Sequence, residues 1–188
     1  VIDSIDSKKT SFVKLQLIEK QEKPAFQIHL YVAPTKQMER MEWMVEKCCE
    51  FGIHTIGFFV SKNSERKEMK LNRLEKIAIA ALKQSKNLFL PKIQALAPLK
   101  QVMDTIKLGA DDQALFAHIS DPPVPTLGKQ IGLNKSYYLF IGPEGDFSSE
   151  ETTNMLKNNF TPFSLGKAIL RTETACIATT HAIHLAHE

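Results

Sequence analysis

From residue 25 onward, strand-like and helix-like stretches alternate along the chain. That order predicts an α/β fold, a parallel sheet flanked by helices. Two observations support it. Glycine, proline and polar residues gather just after apolar runs, at 118–120, 142–146 and 164–166, where the carboxyl ends of parallel strands carry ligand loops. In addition, 43% of the 188 residues are apolar, enough to cover both faces of such a sheet.

The elements follow in order. Residues 1–22 alternate in strand fashion, with Phe12, Val13, Leu15 and Leu17 after a Ser-Lys-Lys-Thr turn; the polar stretch ending at Pro24 reads as a linker. A strand is predicted over 25–33. Met41, Met44, Val45 and Cys48 then recur at i, i+3, i+4 and i+7, one buried helix face, and Gly52 ends that helix. Residues 54–60 read as a strand, and Leu74, Ile77, Ala78 and Ala81 repeat the helical pattern. Pro91-Lys92-Ile93, a short helix near 99–106 and a strand over 114–118 continue the alternation. The Pro-rich piece 121–125 is a surface loop. A strand over 138–141, a helix over 149–157, a strand over 162–165 and a helix from about 174 complete the chain. No internal repeat or low-complexity tract interrupts it.

Charge and cysteine usage narrow the function classes. Lys plus Arg number 24 against 21 Asp plus Glu, so the net charge of +3 admits a nucleic-acid partner without arguing for one. Three cysteines, two of them adjacent, form neither a disulfide framework nor a CxxC pair, which fits a reducing, cytoplasmic setting. No apolar run approaches the ~20 residues of a membrane span, and no signal peptide is visible. The chain opens at Val1 inside an alternating segment, which suggests a fragment.

The stretch YYLFIGPEGDFSSEE (137–151) carries the strongest chemical signal. An apolar run breaks into Gly142-Pro143-Glu144-Gly145-Asp146, and Ser148 with Glu151 forms a capping box that starts a helix. Glycines permit close backbone approach to a ligand. Neither GxxxxGK[ST] nor GxGxxG is present, and Glu144 and Asp146 would repel a phosphate. The loop therefore suits a cationic or neutral ligand; a plain structural turn is the alternative.

IGPEGDFSSEE (141–151) and SLGKAILRTETA (164–175) resemble two signature loops of the ribosomal RNA small subunit methyltransferase E family. PTKQMERMEWMVEKCCEFGI (34–53) and LNRLEKIAIAALKQS (71–85) follow the family's pattern in the same order. Members methylate N3 of a uridine in 16S ribosomal RNA and belong to the SPOUT superfamily of knotted methyltransferases. The resemblance implies a SPOUT domain over 23–188 with a C-terminal deep trefoil knot, preceded at 1–22 by the remnant of a PUA-like RNA-binding β-barrel. It also implies S-adenosylmethionine as methyl donor, 16S RNA in the 30S subunit as substrate, a homodimer, and neither metal nor membrane.

The resemblance also implies roles for individual residues. Gly142, Gly145 and Gly166 let the backbone approach the cofactor, Pro143 stiffens its loop, and Ile141, Leu165, Ile169 and Leu170 form apolar walls. His118, Arg171, Thr174 and Ala175 complete the pocket. Arg171 serves catalysis by meeting the substrate base or its flanking phosphate, unless it pairs with Glu173 or Glu144 instead. Glu144, Asp146 or Glu173 accepts the N3 proton, and the residues do not choose among them. Lys62, Arg66, Lys67 and Lys86 are the RNA-facing cations, unless they belong to a solvated helix face. This sequence departs from the pattern at Asn63, where an arginine is usual, and at Lys86-Asn87, where Gly-Arg is usual. His181, His184 and His187 lack an acid or cysteine at ligand spacing, so no metal is expected. Cys176 reads as a small core residue, and Trp43 as core or dimer packing or a base-stacking surface. The competing functions are ribose 2′-O-methylation within the same superfamily and a non-catalytic RNA-binding or assembly role.

Overall fold

Parallel strands that are apolar on both faces need cover on both sides, and that requirement organises the molecule. The computed structural model describes residues 2–5, 10–12, 24–133 and 135–188. Strands β1 (Ile2–Ile5) and β2 (Thr10–Phe12) pair antiparallel. The rest of the 1–22 stretch, including Val13, Leu15 and Leu17, lies outside the described residues. Next come β3 (Gln27–Val32), α1 (Met38–Glu50), β4 (Thr55–Val60), α2 (Leu71–Ser85), β5 (Lys92–Pro98), α3 (Leu99–Thr105) and β6 (Asp112–Ala117). A 3-10 turn (Leu127–Lys129), β7 (Ser136–Ile141), α4 (Ser149–Lys157), β8 (Thr161–Phe163) and α5 (Thr172–Leu185) complete the order.

Strands β3 to β8 form one sheet in the order β5-β4-β3-β7-β6-β8, with every pairing parallel. Alternation along the strands divides the core. Ile28, Leu30, Val32, Ile56, Phe58, Leu115, Leu139 and Ile141 pack against Met41, Met44, Cys48, Leu74, Ala78, Cys176 and Ile183 of α1, α2 and α5. Tyr31, Phe59, Phe116 and Phe140 face the other way, beneath α3, Met155 of α4, Phe147 and Phe160. Gly57 lets Tyr31 lie flat across β4: a Cβ there would sit 2.5 Å from the ring, which stacks on Phe140 at 4.8 Å. Cys48 and Cys49 are buried, and burial pushes both thiols up to about 12; Cys176 is raised for the same reason. None is a thiolate nucleophile at neutral pH.

The strand order reverses around β7. The chain moves outward from β3 to β4 and β5, crosses back to β6, and then inserts β7 between β3 and β6. Such reversals open a crevice at the strand carboxyl ends. Beyond β8, Ser164 N donates to Pro125 O at 3.0 Å and Leu127 N to Ser164 O at 2.9 Å. The end of β8 therefore lies between β6 and the segment 125–127 that leaves and re-enters the sheet on the way to β7.

Boundaries shift where tertiary contacts outweigh local pattern. β5 is a full strand although only Pro91-Lys92-Ile93 signalled it, because this edge strand is half-buried and mixes Gln94 with apolar residues. α5 begins at Thr172, two residues before the pattern starts, since Thr172 and Glu173 are buried polar residues that break the apolar periodicity.

At the opposite end of the sheet, His29 Nδ1 lies 2.9 Å from Thr55 Oγ1 and its ring stacks on Tyr138 at 4.7 Å. Burial, then the neighbouring His54, lower its pKa from 6.5 to about 4. A histidine held neutral by folding contributes stability above its unfolded pKa and loses it on acidification. Stability, measured by urea unfolding, should therefore fall as pH drops from 6.5 toward 4, and His29→Gln should flatten that part of the profile.

Candidate functional site

Four loops at the carboxyl ends of β4, β6, β7 and β8 are tied together by side chains that need no ligand. After β7, the capping box forms: Ser148 Oγ accepts from Glu151 N, and Glu151 Oε2 accepts from Ser148 N at 2.8 Å. Glu151 Oε1 also accepts from Lys62 N at 2.8 Å, joining this helix start to the β4 loop. Asn63 Nδ2 donates to Gly145 O and Asp146 O, both at 3.0 Å. Asp146 stands at φ 57°, a left-handed conformation that aspartate tolerates better than most residues. Its Oδ1 accepts from Phe147 N at 2.7 Å. Its Oδ2 accepts from Ile119 N at 3.4 Å and pairs with His118 Nδ1 at 3.2 Å. Thr172 Oγ1 donates to Gly142 O at 3.2 Å and brings in the start of α5.

Between these loops lies a cavity of about 420 Å³, within the range of small-molecule sites. His118 lines it from the β6 loop, and Ile141, Gly142, Pro143 and Glu144 from the β7 loop. Leu165, Gly166, Ile169, Leu170 and Arg171 line it from the β8–α5 segment, with Ala175 on the first turn of α5. Gly166 adopts φ 114° with open space where a Cβ would project, so its backbone is available to the cavity. Ile169 is 79% exposed, an apolar surface presented to the site and not to the core.

Three residues expected in the site stand elsewhere. Gly145 faces Asn63, 3.3 Å from where its Cβ would be, and not the cavity. Thr174 is exposed on α5 outside the lining. Glu173 is buried, with Oε1 3.4 Å from Arg40 Nη1 of α1; among the described residues its Oε2 has no partner. Arg171 pairs with neither Glu173 nor Glu144. It is the exposed N-cap of α5, and its guanidinium has no partner among the described residues.

The expected RNA-facing cations divide. Lys62 and Lys67 are exposed on the loop after β4. Arg66 is committed within the molecule, donating to Thr35 O at 3.0 Å and to Lys36 O. Lys86 terminates α2 in a left-handed conformation just before Asn87, whose side chain meets Gly52, so it lies at the amino ends of the strands and outside the cavity lining. Trp43 is 47% exposed on α1, so it is not a core residue. Among the described residues no group of three His, Cys, Asp or Glu could hold a metal. His181 stacks on Phe51, His184 pairs with Glu188, and His187 meets Tyr137 Oη at 2.8 Å and stacks on Phe26. Sequence reading missed Asn63 as a clamp, although it stood out as a departure from pattern, and it missed Arg40, which carried no signal.

The RNA methyltransferase domain profile matches residues 21–184. The ribosomal RNA small subunit methyltransferase E of Buchnera aphidicola is 31% identical over 162 residues, which cover 83% of this chain and 62% of that protein. A probable rRNA-methyltransferase from Porphyromonas gingivalis superposes with a TM-score of 0.87 at 36% identity, covering 98% of this chain and 77% of that one. The ribosomal RNA small subunit methyltransferase E of Neisseria gonorrhoeae, solved bound to S-adenosyl methionine, gives 0.77 at 26% identity, covering 86% and 67%. The chain thus spans less than two thirds of the Buchnera protein.

The Asn63 clamp can be tested directly. Asn63→Ala removes both bonds to the β7 loop, with an expected stability loss of about 1–2 kcal/mol. Amide exchange should accelerate over residues 142–147 while the core strands keep their protection.

Proposed function

Because the chain belongs to the RNA methyltransferase domain family, among the ribosomal RNA small subunit methyltransferase E proteins, we propose that it methylates N3 of a uridine in 16S ribosomal RNA from S-adenosylmethionine. The observation that carries this reading is the cavity at the β7 reversal, which has apolar walls, glycine-exposed backbone and, at its margin, Arg171 without a partner among the described residues. The residues fit the cofactor. Ile141, Leu165, Ile169 and Leu170 offer flat apolar surface to an adenine, and backbone groups of the loops offer donors and acceptors. Glu144 is compatible with a sulfonium cation and would repel a phosphate. When bound, S-adenosylmethionine supplies the electrophilic methyl group.

This chain's own part is to position the base and handle its charge. As N3 loses its proton, negative charge spreads to the uracil oxygens. Arg171 would stabilise that charge more strongly in the transition state than in the ground state. Lys62 and Lys67 supply backbone-neutralising charge near the site. The β8 insertion between β6 and 125–127 supports a trefoil-knotted SPOUT topology over 23–188, and the β1–β2 pair supports a PUA-like remnant before it. Half-exposed Trp43 on α1 and Leu185 on α5, which pack beside each other as helices, support a homodimer through those helices.

The test uses the full chain, 30S subunits from cells lacking the gene, and nucleoside mass spectrometry. N3-methyluridine should appear in 16S RNA; methyl on a ribose oxygen, or none, sinks the reading. Arg171→Ala should lower the single-turnover rate by ~10²-fold or more while shifting cofactor affinity less than about tenfold. Loss of cofactor binding with an intact rate would instead make Arg171 a pocket residue. Light scattering at micromolar concentration should give the mass of a dimer, and a monomer removes the α1–α5 interface.

A further inference from the structure

Methyl transfer to N3 needs a group that takes the imide proton, and the structure commits two of the three carboxylates in this region elsewhere. Glu173 is buried against Arg40. Asp146 is engaged by Phe147 N, Ile119 N and His118 Nδ1. Glu144 remains, exposed in the lining. A carboxylate is a weaker acceptor at neutral pH than an imidazole, whose ordinary pKa lies nearer the operating pH.

The Asp146 contact decides how such an imidazole is set. A carboxylate accepting at Nδ1 fixes the ring proton there, which leaves the lone pair of the neutral ring on Nε2. Among the described residues Nε2 has no partner; the His118 side chain is 21% exposed and the residue forms part of the cavity wall. Asp146 is itself held by the Phe147 backbone N–H, and its loop by Asn63, so bonds within the protein set the position of the pair. The other charged groups lining this cavity are Glu144, Lys167 and Arg171.

We propose that His118 Nε2, oriented by Asp146, accepts the N3 proton of the substrate uridine, and that Asp146 is a positioning residue and not the base. The inference rests on the reading under Proposed function. The balance is complete: the N3–H bond breaks to Nε2, the N3 electron pair forms the bond to the methyl carbon, and the carbon–sulfur bond breaks with its pair staying on sulfur. The positive charge carried by the sulfonium before transfer is carried afterwards by the imidazolium beside Asp146. No net charge is created in a cavity with apolar walls, where uncompensated charge is unfavourable.

His118→Asn tests this, because the asparagine amide can still donate to Asp146 while Nε2 is gone. Single-turnover rates on 30S subunits at saturating S-adenosylmethionine would be followed from mildly acidic to alkaline pH, with cofactor Kd measured by calorimetry. At neutral pH the variant should lose ~10²-fold or more with Kd unchanged within about tenfold. Its rate should then climb steeply with pH toward wild type, as hydroxide takes over the proton. His118→Gln, which also lacks a base, should show the same slope and serves if the first variant does not fold. A wild-type rate, a loss by a constant factor at every pH, or loss of cofactor binding overturns the proposal. Wild-type protein that leaves the uridine unmodified overturns the functional reading itself.

Discussion

Insertion of β7 between β3 and β6 is the constraint on which the rest depends, because it places the only Gly-Pro-Glu-Gly-Asp loop of the chain at the reversal of strand order. The parallel register runs without a slip from Gln27 opposite Ser136 to Val32 opposite Ile141, so β3 and β7 end level. Ala33 N continues that pairing to Ile141 O at 3.0 Å. Among the described residues the ladder ends there, and the crevice opens at that point.

Loops at such an end would be mobile if left to themselves, since they bury little apolar surface. Here a few polar side chains substitute for a core. Asp146 and Asn63 each serve two segments, Glu151 caps a helix while accepting from the β4 loop, and Thr172 fixes the start of α5 to Gly142. Each bond is modest by itself. Their value lies in closure, because each bond ties one loop to another and the cavity walls are held by the protein's own groups.

The same arrangement sorts the charges. Acids that a sequence reading groups together separate into roles: Asp146 holds loops, Glu173 joins α5 to Arg40 of α1, and Glu144 alone remains exposed in the lining. Cations separate too, with Arg66 bound to backbone carbonyls while Arg171 has no partner among the described residues. A guanidinium without a partner among the described residues, at a cavity margin, is free to meet a ligand; one fixed to carbonyls is structural.

Much of this was legible in the sequence. The β-α alternation, the heptad-like faces of α1 and α2, the capping box at Ser148 and the glycine-bearing loop after β7 are local patterns set by periodicities of 2 and 3.6 and by turn chemistry. Ile141, Leu165 and Leu170, singled out from the resemblance, line the cavity. Other features could not be read locally. The edge strand β5 is decided by its pairing with β4, and the start of α5 by burial of Thr172 and Glu173. The partition of Glu144, Asp146 and Glu173 and the turning of Gly145 toward Asn63 depend on contacts between residues far apart in the chain, and the separation of Lys86 from Lys62 on the opposite ends of the sheet. Sequence by itself determined which elements form and which loops can approach a ligand, because those depend on neighbours along the chain. Only the tertiary structure decided which side chains are used up holding the loops and which stay free for chemistry, because hydrogen bonds and ion pairs are chosen by proximity in space.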